Sequence, residues 1–114
     1  MQLKTLQPNK VIYIVSDQVL ITKEQDILDL IGETEFLDLV LHDYNFAPET
    51  FDLSSKILGD FLQKATNYRV RLAVIGDFSK YSSKILPDFI RESNRSKNYL
   101  FVTTLENVKV LWNL

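Results

Sequence analysis

The chain has 114 residues, of which 46% are hydrophobic and 25% charged, and a formal net charge of −2. A chain of this size buries roughly two-thirds of its unfolded surface, enough for one core, so a single domain over residues 1–114 is expected. The near-neutral charge gives no pull toward nucleic acid or an anionic membrane, and the absence of Cys removes disulfides, thiolate metal sites and thiol catalysis. No apolar run approaches the roughly 18 residues of a membrane helix, and with no leader-like start a cytoplasmic location is expected.

Leu3 to Leu6 and Val11 to Ser16 flank Gln7-Pro8-Asn9-Lys10, a turn-forming segment, so the chain is expected to open with a β-hairpin. Thr22 with Gln25 forms a capping box ahead of Ile27, Leu28, Leu30 and Ile31, which predicts a first helix ended by Gly32. Phe36 to Leu41 reads as a strand running into the polar and aromatic loop His42 to Pro48. Asp52 is placed as N-cap for a second helix from about Leu53 to Asn67, with Leu53, Ile57, Leu58, Phe61, Leu62 and Ala65 on one face. Gly59 inside it costs about 1 kcal/mol relative to Ala and hints at close approach to a strand.

Arg69 to Asp77 is a β-branched apolar run closed by Gly76, the pattern of a central strand buried on both faces. Beyond it, Ile85, Leu86, Phe89 and Ile90 mark a third helix in which Pro87 must occupy the first turn or kink it. Asn98 to Thr103 is a last strand, Thr103 with Glu106 a further capping box, and Val108, Leu111 and Trp112 the apolar face of a short closing helix. This order predicts an α/β fold: a hairpin, then a mostly parallel sheet built from β-α units. Winding in one direction would place all helices on one face and leave alternate strand residues such as Tyr13, Tyr99 and Phe101, or their neighbours, on an uncovered face, which would call for a partner or a homodimer.

The hairpin start and repeated β-α winding resemble the STAS domains of sulfate transporters and anti-sigma-factor antagonists. Phe51-Asp52-Leu53-Ser54-Ser55 before a helix is similar to the antagonists' Asp-Ser-Ser-Gly-Leu segment, with Leu53 inserted and Lys56 in place of Gly. The resemblance implies a protein-interaction module rather than an enzyme, with Asp52, Ser54 and Ser55 as the candidate phosphoacceptor and partner-binding segment. The wording of Asn67-Tyr68-Arg69-Val70, Gly76-Asp77-Phe78 and Asp88 to Asn94 is closer still to a bacterial domain family of unknown function, numbered 4180, which brings no established activity. On physical grounds a phosphate in a first helical turn gains free N–H groups and the positive dipole end, while repelling Asp52. The same residues also suit any helix start.

A second candidate site lies at the sheet edge. Asp17, Asp43 and Asp77 each follow a predicted strand and in a parallel sheet can converge as oxygen ligands for a hard cation, although Asp after a strand is also a common turn residue. A phosphatase-like site would need an acidic pair and a placed Lys, which the sequence does not reveal. His42, the single His, can be paired on paper with Ser54, Ser55 or Ser82, but no Gly-x-Ser-x-Gly elbow accompanies them. Three glycines in all leave no dinucleotide fingerprint. Arg69, Arg71, Lys80, Lys84, Arg91, Arg95 and Lys97 concentrate positive charge late in the chain without the aromatic motifs of a nucleic-acid binder. Tyr44, Tyr68, Phe78 and Tyr81 form either a small-ligand rim at the loop edge or plugs of the core.

The favoured expectation is a non-enzymatic regulatory module with a protein partner, no cofactor and no metal. Its alternative is a small enzyme or ligand binder using Asp17, His42, Asp43, Asp77 and Tyr81 at the sheet edge.

Overall fold

A computed structural model describes residues 1–7 and 10–114. Strands β1 (Gln2–Gln7) and β2 (Val11–Val15) pair antiparallel with a register shift between Thr5 and Gln7. The hairpin is therefore as expected, while its turn at Pro8 and Asn9 lies outside the described residues. Strands β3 (Asp38–His42), β4 (Arg71–Ile75) and β5 (Tyr99–Val102) follow in parallel, giving one five-stranded sheet in the order β1-β2-β3-β4-β5. The parallel strands are connected by α1 (Glu24–Thr34), α2 (Ile57–Asn67) and α3 (Leu86–Ser96), and α4 (Leu105–Leu111) follows the last strand.

Period-two alternation splits the sheet into two apolar faces. Ile12, Ile14, Leu39, Leu41, Leu72, Val74 and Phe101 pack beneath the three connecting helices, which contribute Ile27, Leu30, Leu58, Phe61, Ala65 and Leu86. Val11, Val40, Ala73, Ile75 and Leu100 point the other way and are covered by Val108 and Trp112 around α4. This corrects the expectation of a bare face. The one-direction rule governs crossovers between strands, and α4 leads to no further strand, so it is free to cross the sheet and close the second layer. Tyr99 and Phe101 lie on the side of the connecting helices, and only Tyr13 of the three borders the α4 layer. The sheet face thus supplies no reason for a second copy of the chain. Trp112 is fixed at both ends: its indole N–H donates to the Lys97 carbonyl at 2.6 Å, and the Arg71 guanidinium lies 4.3 Å from its ring.

Several boundaries move for identifiable reasons. The carboxylate that closes the start of α1 belongs to Asp26, not Gln25; it accepts from the N–H of Thr22 and Lys23 and from the Thr22 hydroxyl. That helix runs through Gly32 and ends where Glu35 turns left-handed at φ 62°. Asp52 caps a 3-10 turn at Leu53–Ser55 instead of the long second helix, because Lys56 turns left-handed at φ 64° and α2 begins only at Ile57. Ile85, 62% exposed, precedes α3, whose first turn holds Pro87 as the sterics of proline require. The cap of α4 is Thr104, whose hydroxyl accepts from the Asn107 N–H, in place of Thr103.

Gly59 approaches no strand: a Cβ there would meet nothing within 4 Å. Its substitution therefore carries no packing cost, and Gly59→Ala is expected to raise stability by about 1 kcal/mol in urea unfolding at unchanged slope. A loss of stability would show a contact that the backbone does not reveal.

Candidate functional site

The loops after β3 and β4 meet at the carboxyl edge of the sheet and are organised by Asp43, the first residue past β3. Its side chain is 4% exposed, and Oδ2 lies 2.6 Å from the Lys80 ammonium and accepts the Tyr81 hydroxyl at 2.6 Å. Lys80 and Tyr81 belong to the loop after β4, so this one carboxylate ties two crossovers together. Gly76 makes the approach possible, since a Cβ there would stand 2.5 Å from Asp43 Cγ. Burial, then the hydrogen bond to Asp43 and that residue's charge, push the Tyr81 phenol far above its ordinary range.

This shift has a sign. The folded state holds the Tyr81 proton that the unfolded chain releases near pH 10, so the stabilisation is complete below pH 10 and is lost as pH rises through the higher folded value. Alkaline unfolding is therefore expected to be steeper in the native chain than in Tyr81→Phe above pH 10, as read by denaturant midpoints across pH. Parallel pH profiles for the two proteins would contradict the assignment.

A second residue locks the loop from within. Asn45, fully buried, donates to the carbonyls of Ser16 and Gln18 at 2.9 and 2.8 Å and accepts from the His42 N–H at 2.9 Å, joining the ends of β2 and β3. Phe51, also fully buried, packs its ring against Phe46, Phe78 and Tyr81, with centroids 5.9, 5.5 and 4.9 Å away. Thr50 Oγ1 beside it is buried without a hydrogen-bond partner among the described residues. Two clefts open onto this framework. One of about 390 Å³ is lined by Val19, Asp43, Tyr44, Phe46, Pro48, Lys80 and Tyr81. The other, about 250 Å³, shares Pro48, Lys80 and Tyr81 with it and adds Phe51, Asp52, Ser82 and Ser83.

The strand-end acids do not converge. Asp17 accepts from the Gln18 amide, and Asp77 is engaged by the hydroxyl and N–H of Ser79, hydrogen bonds that hold its carboxyl below the usual range. Among the described residues no three His, Asp or Glu side chains are grouped to hold a metal ion. The Lys that the sequence did not reveal is Lys80, but among the described residues it forms an ion pair with Asp43 alone.

His42 is paired with none of the serines. Its Nε2 is 2.7 Å from the Tyr13 hydroxyl and its ring stacks on Tyr44 at 4.9 Å. Burial holds the imidazole below its ordinary range against the opposing pull of Asp43. Ser54 donates to Asp52 Oδ1 at 2.7 Å, and Ser55 donates to the carbonyls of Asp52 and Glu49 at 2.7 and 3.1 Å. Both serines are exposed, in the 3-10 turn rather than in the first turn of α2.

Of the aromatic residues at issue, Phe78 and Tyr81 pack against the core, Tyr44 stands half exposed at the cleft, and Tyr68 lies at the opposite end of the sheet after α2. The late basic residues are divided among separate partners: Arg71 forks onto Asp38 at 3.0 and 2.7 Å, Arg91 pairs with Asp88, and Arg95 with Glu92. Sequence reasoning missed Lys80, Asn45 and the contact role of Gly76. The only advance sign was that Gly76 and Lys80 both flank a strand end, where open α/β sheets hold ligands.

Fold and site together define a single-domain α/β protein with a five-stranded, mostly parallel sheet and a paired, cleft-lined carboxyl edge. Residues 6–111 match the family described as "Domain of unknown function (DUF4180)", and the chain belongs to that family. No curated protein and no solved structure matches the chain. No helix among the described residues is long and apolar enough to cross a membrane.

Proposed function

We propose that the domain is a STAS-like, non-enzymatic interaction module of the bacterial cytoplasm, whose protein partner docks on the carboxyl edge between residues 43–56 and 76–85. The observation that carries this reading is the way the polar groups there are occupied. Asp43, His42, Asp52 and Asp77 each bond to another side chain of the same domain, so their polar groups serve to hold the loops of this edge in place. Apolar and aromatic surface remains open beside them in two adjoining clefts, with Val19 and Tyr44 about half exposed. This is the pattern of a surface that binds.

Ser54 and Ser55 give this edge a switch. A phosphate on Ser54 would set a second negative group against Asp52, from which its hydroxyl is 2.7 Å away, and would alter the rim that the partner meets. The test is site-directed photocrosslinking in native-cell extract. A photoreactive residue at Ser82 is expected to capture a partner, one at Val110 on the 72% exposed outer side of α4 is not, and Ser54→Asp is expected to weaken the Ser82 crosslink. Equal capture at the two positions contradicts the site. A crosslink unaffected by both Ser54→Asp and Ser55→Asp contradicts the switch alone.

A further inference from the structure

We infer that the docked partner presents an arginine, whose guanidinium enters the 390 Å³ cleft and replaces Lys80 on Asp43. The inference rests on the docking reading above and names the chemistry that the partner must bring.

Asp43 is a buried carboxylate neutralised by an unusual counter-ion. Lys80 reaches it from a side chain that is 52% exposed, on a flexible stem that costs little to swing into water. A carboxylate this deep must keep a cation, because removing one without replacement leaves an uncompensated buried charge. Another cation can therefore be admitted by exchange. The occupancy of the carboxylate favours a forked one. Lys80 and Tyr81 both engage Oδ2, while Oδ1 has no hydrogen-bond partner among the described residues. An ammonium is a point charge and gains little from the second oxygen, whereas a planar guanidinium spans both.

The walls of the cleft fit the same group. Tyr44, half exposed with its ring stacked on His42, and Tyr81 line it with Val19 and Pro48, apolar and aromatic surface that suits a weakly hydrated guanidinium. The displaced Lys80 has a second acid available, since the adjoining cleft is lined by both Lys80 and Asp52. Asp17, Glu49, Asp52 and Asp77 on the surrounding loops outnumber Lys56 and Lys84 there, a net negative balance that draws a cationic partner.

The test titrates N-acetyl-arginine methylamide into the intact chain and follows amide chemical shifts, beside the neutral isostere N-acetyl-citrulline methylamide and the lysine analogue. Saturable shifts centred on Asp43, Tyr44 and Tyr81 are expected with arginine, none with citrulline, and weaker ones with lysine. Lys80→Met removes the competing cation and is expected to tighten arginine binding at least tenfold, and Asp43→Asn to abolish it. Identical responses to arginine and citrulline, stronger binding of lysine, or unchanged affinity in Lys80→Met would each overturn the inference. The citrulline comparison needs no variant, so a folding defect in Asp43→Asn leaves the decision intact. A Ser82 crosslink that excess arginine probe does not compete would sink the arginine proposal while leaving the docking site standing. Arginine binding without any crosslink would overturn the docking reading and the arginine-bearing partner with it.

Discussion

Phe51→Ala is expected to cost about 3–5 kcal/mol of folding free energy, the largest effect of any single change at the carboxyl edge. The ring is fully buried and touches aromatic residues from both loops: Phe46 on one side, Phe78 and Tyr81 on the other. Truncation removes its transfer free energy and leaves a void, because the neighbouring rings are held by β3, β4 and the Asp43 cluster and collapse only partly. Urea unfolding with an unchanged slope measures it. The same variant should lose the Ser82 crosslink even at temperatures where it remains folded, since Phe51 lines the cleft that contains Ser82. A loss below about 1 kcal/mol would mean that the loop rearranges freely and that the clefts are not built features.

Gly76→Ala is expected to be the next most damaging change, at about 2–3 kcal/mol from overpacking and the displaced ion pair. The added methyl would stand 2.5 Å from Asp43 Cγ and 2.8 Å from its Cβ, so the carboxylate must leave Lys80 and Tyr81 or the backbone must move. The left-handed region plays no part, because no glycine of the described residues has positive φ. Gly32 and Gly59, where a methyl meets open space, are the internal controls. Near-equal stability of Gly76→Ala and the native chain would show that Asp43 is loosely placed.

Much of the architecture is readable in the sequence, because local pattern and global burial agree. The run around Leu72, Ala73, Val74 and Ile75 is apolar on both faces, and both faces are in fact covered. The spacing of Leu58, Phe61 and Ala65 likewise marks the buried stripe of α2. What escapes the sequence depends on tertiary placement. The left-handed turn at Lys56 has no glycine to announce it, so the 3-10 turn and α2 read as one helix. The passage of α4 across the sheet is set by which apolar face remains open, not by anything in Val108 or Trp112 themselves. The acids that look alike as strand-end residues separate according to the loop around each: Asp17 and Asp77 bond to near neighbours in the chain, and only Asp43 reaches another crossover. Lys80 could not be singled out because its partner is distant in sequence and an isolated loop lysine carries no motif.

Amide hydrogen exchange on the chain, alone and with its captured partner, tests the docking site most directly. Protection is expected in residues 43–56 and 76–85, with α4 and β1 unchanged. Protection confined to α4 or to the outer edge of β1, with both loops exchanging as in the free chain, would contradict it.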